Sequence, residues 1–382
     1  MNLECLQENL SRGLGIVGKA VSLKSINPIT QNILLKVEKN KIKLTATNLE
    51  IAIIYYIDAK VSEVGEVAIP AKLFSSLVNS LPNDKIKLSM LPTKPDGNVG
   101  YLEIACANQK GKVKGMKASD FPPISSLGDK VFASIDSEDL KAAISRVAFA
   151  AATEETRPIL MGVKCIFENS TLTMAAADGF RLSIYKVALN NKVSEKVELV
   201  LPASVLGELQ RLLAGEHDTT DIVLNPNKTR VMFRFNEIEL MSQLLQGEFP
   251  KYESLIPKSC TTSIEMDLEE LMKTCRTCAV LASEGSSAIR LHIKPVINSV
   301  MGTVVMYASA NEMGDNVGEV YGIITGPEAH IALNSKYLDQ VLGALHSKSV
   351  TLEVTSPSAP GVVRAVGDDN YIHVVMPMFV QW

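Results

Sequence analysis

Two cysteines and three glycines are the residues of this 382-residue chain whose spacing suggests chemistry. Cys275 and Cys278 stand as C-x-x-C, a spacing that serves zinc binding or thiol–disulfide exchange. Structural zinc needs four ligands, and the chain has no second C-x-x-C. Its histidines, His217, His292, His330, His346 and His373, fall in separate segments. The cysteine pair sits inside a helical pattern, so a buried helix face is the expected setting. Gly13, Gly15 and Gly18 match G-x-G-x-x-G. A dinucleotide fingerprint follows a strand, and only a dozen residues precede this one. The glycines are therefore expected in a helix packed closely on its neighbour. No H-E-x-x-H, G-x-S-x-G or phosphate loop occurs, and no carboxylate pair has a catalytic spacing. Neither a catalytic residue nor a metal or cofactor is expected.

The elements that carry these residues repeat. Ile69-Pro70-Ala71-Lys72-Leu73 aligns with Leu201-Pro202-Ala203-Ser204-Val205 and Leu333-Asn334-Ser335-Lys336-Tyr337, each 132 positions from the last. Each copy continues as an amphipathic stretch, through Leu77 and Leu81, Leu209 and Leu213, or Val341 and Leu345. Upstream of each lies a second helical pattern: Leu6 to Val21, Ser137 onward with Leu140, Ile144 and Val147, and Asp267 onward with Leu268, Leu271 and Cys275. Between the helices, Ile42–Thr47, Leu172–Ala177 and Val304–Ser309 read as strands. Each ends in a polar turn, Asn48-Leu49-Glu50, Asp178-Gly179-Phe180 or Asn311-Glu312-Met313. A fixed period of this length marks a repeated domain and not a solenoid. The expectation is an α+β chain of three similar domains, each an antiparallel sheet carrying two helices. Phe121-Pro122-Pro123 and Phe249-Pro250 resemble each other as joints. Boundaries near residues 123 and 253 give domains 1–123, 124–253 and 254–382.

Composition sets further limits. The chain is 46% hydrophobic and 21% charged, enough apolar content for three cores. No stretch has the length and apolarity of a membrane span, and Met1-Asn2-Leu3-Glu4-Cys5 does not open a signal peptide. Six cysteines without a disulfide-like framework point to a reducing, cytoplasmic setting. The net charge of −4 divides into +5 over residues 1–120, −4 over 121–250 and −5 over 251–382. Bulk charge of this kind excludes a protein that grips nucleic acid everywhere on its surface.

Local cations remain. Arg12, Lys19, Lys72, Lys141, Arg146, Arg211, Lys273, Arg276 and Lys336 lie on the repeated helices. Three like domains can form an arc, and two arcs paired head to tail close a ring. Helices lining such a ring can present Lys and Arg to duplex phosphates without reading bases. The competing reading is an ordinary solvated helix face. Two other functions compete: a repeat-built peptide-binding scaffold with no DNA role, and an enzyme using Cys275 and Cys278.

Several segments then carry a resemblance. Arg157-Pro158-Ile159-Leu160-Met161-Gly162-Val163, Asp178-Gly179-Phe180-Arg181-Leu182, the Phe249-Pro250 joint and Val374-Val375-Met376-Pro377-Met378 follow in order along the chain. With Ala20-Val21-Ser22, Asn27-Pro28-Ile29 and Thr45-Ala46-Thr47-Asn48-Leu49-Glu50, they make the whole chain resemble the bacterial DNA sliding clamps, the beta subunits of DNA polymerase III. The resemblance implies the DNA clamp fold as a half-ring and a head-to-tail homodimer encircling double-stranded DNA. It also implies a nucleoid-associated factor that tethers the replicative polymerase. Lys24 matches a DNA-contacting position. The resemblance further implies a cleft, between the second and third domains, for peptides of the polymerase, clamp loader and repair proteins. Its walls would be Leu160, Ala177, Gly179, Phe180, Arg181, Leu182, Pro250, Leu255, Asn334, Tyr337, Val374, Val375, Met376, Pro377 and Met378. Arg181 and Asn334 would fix a peptide backbone by hydrogen bonds. Three departures bear on peptide preference: Ser254, the Ser286-Ser287-Ala288-Ile289 stretch, and the Phe379-Val380-Gln381-Trp382 tail.

Overall fold

The computed structural model describes residues 1–22, 27–91, 100–215, 218–310 and 313–381. Among the described residues six α-helices form where the apolar periodicity places them: α1 (Gln7–Val17), α2 (Ala71–Ser80), α3 (Ser137–Val147), α4 (Ala203–Leu212), α5 (Leu268–Glu284) and α6 (Ser335–Ala344). Side-chain caps mark the starts of α5 and α6, whereas α1 and α2 have none among the described residues. The Asp267 carboxylate accepts a hydrogen bond from the Glu270 N–H at 2.9 Å, capping α5. Asn334 Oδ1 accepts from the Lys336 and Tyr337 N–H groups at 3.0 and 3.3 Å, capping α6. Caps of this kind stabilise a helix by about 1 kcal/mol.

The first helix is shorter than its periodicity predicts. Asn2–Leu6 is a strand, α1 ends at Val17, and a 3-10 turn covers Gly18–Ala20. A strand therefore does precede the three glycines, contrary to the spacing argument. It pairs antiparallel on both sides, with Lys60–Glu63 and Lys85–Met90, whereas a dinucleotide fold needs a parallel βαβ unit. Only Gly13 is crowded: a Cβ there would lie 2.7 Å from Tyr55 and 2.9 Å from Ile57, while Gly15 and Gly18 face open space. Close packing thus accounts for one glycine of the three.

The chain divides into two compact units that do not follow the sequence thirds. One comprises Met1–Glu138 with Arg211–Leu244, the other Asp139–Gln210 with Leu245–Trp382. Hydrogen-bonded sheets explain the division. In the first unit an eight-stranded sheet joins Ile238–Gln243, from the middle third, to Ile51–Asp58. A five-stranded sheet completes that unit, and α1 lies against α2. In the second unit a twelve-stranded sheet joins Arg181–Ala188 to Tyr371–Val375, and α5 lies against α6. Every pairing between named strands is antiparallel among the described residues.

The expected strands appear as Lys41–Thr47, Thr171–Ala177 and Met301–Ala310. Asn311, Glu312, His217, Lys24 and Trp382 lie outside the described residues. The second unit's core gathers Leu271, Cys275 and Cys278 with Leu291, Met306, Val341 and Tyr371. Burial pushes the Cys275 thiol up to about 12 and raises that of Cys278. Both are therefore protonated and poorly nucleophilic at neutral pH.

Candidate functional site

In the second unit the site grows from the turn after Thr171–Ala177. Asp178 Oδ1 accepts hydrogen bonds from the Phe180 N–H at 2.9 Å and the Arg181 N–H at 3.0 Å. This Asx turn needs a left-handed residue at its centre, and Gly179 supplies it with φ +95°. Phe180 is thereby held out, 61% exposed. Its carbonyl accepts from the Met376 N–H at 2.8 Å. Beyond the turn the chain joins the sheet, Arg181 opposite Val375 and Leu182 opposite Val374.

Arg181 is 8% exposed, and its guanidinium is occupied. Nε donates to Asp178 Oδ2 at 2.9 Å, Nη2 to the Phe149 carbonyl at 2.7 Å, and Nη1 to Gln340 Oε1. The guanidinium also lies 4.4 Å from the Tyr337 ring and 5.4 Å from the Phe149 ring. A largely buried ion pair fixed by further hydrogen bonds holds geometry more than it adds stability. Arg181 thus ties the turn to α6 while its side chain also lines the cleft. Asn334 likewise directs its carbonyl oxygen to the α6 cap.

Behind Phe149, the His373 ring stacks at 5.5 Å. Its Nε2 is buried without a hydrogen-bond partner among the described residues. Burial, reinforced by Arg181, lowers its pKa to about 3, so the imidazole is neutral. Burial also raises the Tyr337 phenol, with Asp178 adding to the shift.

These groups surround a cleft of about 520 Å³. Leu160, Gly179, Phe180, Arg181 and Tyr337 line it. Beneath, Leu160, Leu182 and Val374 share a buried cluster with Phe249 and Tyr252, and Ala177 packs on it. Val375 belongs to the adjoining core. Pro250, Leu255, Met376, Pro377 and Met378 lie outside the cavity lining. Leu255 and Met376 are 51% and 40% exposed, Pro250 is exposed, and Pro377 and Met378 are half-buried. The Met378 N–H donates to the Ala332 carbonyl at 2.8 Å. Sequence reasoning missed Phe149, Glu154, Arg157, Asp178 and Gln340 as lining residues. Arg157 and Asp178 stood in the quoted motifs, but no spacing marks Phe149 or Gln340. Lys336, grouped with the duplex-facing cations, also lines the cleft.

The other cations divide by environment. Arg12, Lys19 and Lys72 are exposed on the first unit, and no ion pair engages them among the described residues. Arg146 is drawn inward, 3.6 Å from Asp368 and 4.5 Å from the Tyr185 ring. Lys273 pairs with Glu269 at 2.6 Å and Arg276 with Asp339 at 2.8 Å. Lys141 and Arg211 also have interaction partners. No helix among the described residues is long and apolar enough to cross a membrane.

Comparison with known proteins is consistent along the chain. Three family models match in order: the DNA polymerase III beta subunit N-terminal domain over residues 1–125, its central domain over 134–251 and its C-terminal domain over 253–379. The chain is 28% identical to the beta sliding clamp of Synechocystis over 391 aligned residues, covering 99% of both. It is similar to the crystal structure of the DNA polymerase III subunit beta from Pseudomonas aeruginosa, with TM-score 0.89, 26% identity and full coverage of both chains. The DNA polymerase sliding clamp from Bacillus subtilis shares the fold at TM-score 0.93 and 24% identity, again over both whole chains.

Proposed function

The chain belongs to the DNA polymerase III beta subunit family, and from that premise we propose how its parts serve replication. It is a DNA polymerase processivity factor of the sliding-clamp kind, an accessory subunit without catalytic activity of its own. Two copies associate head to tail into a closed ring around duplex DNA. Each contributes three domains, with boundaries near residues 123 and 253. The ring acts in the cytoplasm, on the nucleoid. A topological link holds without tight contact, so moderate basicity suffices and the ring slides. The net charge of +5 over residues 1–120, with exposed Arg12, Lys19 and Lys72, supports duplex phosphates as the sliding surface. The −4 and −5 of the remaining chain disfavour adhesion elsewhere.

The cleft of the second unit is the docking place for peptides of the polymerase, the clamp loader and other partners. One observation carries this reading: an exposed Phe180 held on a glycine turn beside a 520 Å³ cavity that Arg157, engaged in no ion pair among the described residues, also lines. An exposed aromatic over a preformed apolar floor is what a short peptide anchor requires. The ring and its role in processivity are tested by a sedimentation mass combined with primer extension on a long template. The reading expects a mass near twice 41.4 kDa and product lengths that increase when the protein is loaded. A single-chain mass together with unchanged product lengths overturns it.

A further inference from the structure

The first unit contains a second turn built like the one that presents Phe180. Asn48 Oδ1 accepts from the Glu50 N–H at 3.0 Å and the Ile51 N–H at 2.9 Å, as Asp178 Oδ1 does from Phe180 and Arg181. The Asn48 N–H donates to the Ile51 carbonyl at 3.2 Å, and the Asp178 N–H to the Arg181 carbonyl at 3.4 Å. The Glu50 carbonyl accepts from the Gln243 N–H at 3.4 Å, as that of Phe180 does from Met376. Ile51 and Ala52 pair with Ser242 and Met241, as Arg181 and Leu182 pair with Val375 and Val374. Beneath lies a comparable cluster: Ala52, Ile54 and Met241, with Ile124 and Leu127 from the segment after Phe121-Pro122-Pro123 packed on it.

One position differs in a telling way. Where the second unit has Gly179 at φ +95°, the first has Leu49 at φ +79°. A leucine in the left-handed region costs about 1–2 kcal/mol, and this side chain is 55% exposed. Burial of the side chain does not offset that strain, and such outliers gather at binding sites. Leu49, Ile124 and Met241 line a pocket of about 200 Å³ with Glu50, Gln243 and Arg230 at its edge. Arg230 is exposed, and no ion pair engages it among the described residues. The pocket therefore matches the other cleft: an apolar wall beside a guanidinium that no ion pair engages among the described residues, Arg157 there and Arg230 here. The smaller volume has room for one leucine-sized side chain.

We propose that this pocket is a second, weaker peptide site, taking an extended segment that carries one leucine-sized anchor beside a carboxylate. Leu49 and Met241 grip the anchor and Arg230 the carboxylate. The proposal rests on the peptide-docking reading of the second unit. The test is methyl NMR of the full-length protein titrated with two peptides, Gly-Ser-Asp-Leu-Ser-Gly and its neutral control Gly-Ser-Asn-Leu-Ser-Gly. A parallel titration uses a peptide from the replicative polymerase. The aspartate peptide should shift the Leu49, Ile124 and Met241 methyls, and the control should bind more weakly. Leu49→Gly removes the side chain while relaxing the turn, so misfolding does not confound it. It should weaken this site by about five- to tenfold and leave the Leu160 and Leu182 shifts unchanged. Shifts confined to Leu160 and Leu182 overturn the second site but leave the first reading standing. A response at the first-unit methyls that Leu49→Gly and Arg230→Ala both leave intact also overturns it. A polymerase peptide that shifts no methyl in either place overturns both readings.

Discussion

Replacing Phe180 with alanine separates peptide docking from folding. The ring is 61% exposed in the free protein, so its removal costs the fold little, within about 0.5 kcal/mol for a surface substitution. Burying a whole phenylalanine contributes about 1.5–3 kcal/mol. A docked peptide that covers the exposed fraction of Phe180 gains about 1–2 kcal/mol from it, which is ~5–30-fold in Kd. The turn itself survives the substitution, because the Asp178 and Met376 hydrogen bonds engage the Phe180 backbone. The assay is fluorescence anisotropy of a labelled peptide from the replicative polymerase, with urea unfolding as the control. Phe180→Ala should weaken binding within that range at an unchanged unfolding midpoint. Affinity within twofold of the wild type refutes the assignment of Phe180 as an anchor. A shifted midpoint refutes the premise that the ring contributes to docking alone.

Further outcomes follow from neighbouring groups. Arg181→Met leaves the half-buried Asp178 without its cation and should cost about 1.5–3 kcal/mol in urea unfolding; Gln340→Ala, which deletes one hydrogen bond, should cost about 1 kcal/mol. Because His373 stays neutral in the fold down to about pH 3 against 6.5 for a free imidazole, the unfolded state takes up the proton first as pH falls. The resulting loss of stability is about 1.4 kcal/mol per pH unit below 6.5, or ~2 kcal/mol by pH 5. Chemical unfolding at pH 8 and pH 5 should show this loss, and His373→Phe should remove it. Arg12→Ala with Lys72→Ala should reduce the salt dependence of duplex association, by ~0.9 in log–log slope for each cation that meets a phosphate. An unchanged slope in a salt titration would place both cations away from DNA.

The repeat was legible because the same periodicity recurs at a fixed spacing. Leu10, Leu14 and Val17 are buried in α1, and Leu271, Cys275 and Cys278 in α5. The polar turn at Asp178-Gly179-Phe180 was legible for the same reason as any Asx turn: an Asp two residues before its backbone partner. Other features depend on contacts distant in sequence. The guanidinium of Arg181 reaches Phe149 and Gln340, 32 and 159 positions away, partners that its residue type does not announce. The strand Asn2–Leu6 is five residues long and runs directly into Gln7, so its alternation merges with the helical pattern. Periodicity also reports repeated units and not packing: Ile238–Gln243 pairs with Ile51–Asp58, which unites parts of the first and middle thirds. The turn at Asn48-Leu49-Glu50 was legible by its alignment with Asp178-Gly179-Phe180, but a left-handed backbone leaves no mark on a leucine in sequence.

The central claim, that the protein holds DNA by encircling it, is tested most directly on a circle. Protein loaded onto nicked circular duplex is washed at high salt, and the DNA is then cut once with a restriction enzyme. A topological link predicts retention on the intact circle and rapid loss from the cut one. Equal retention before and after the cut contradicts it.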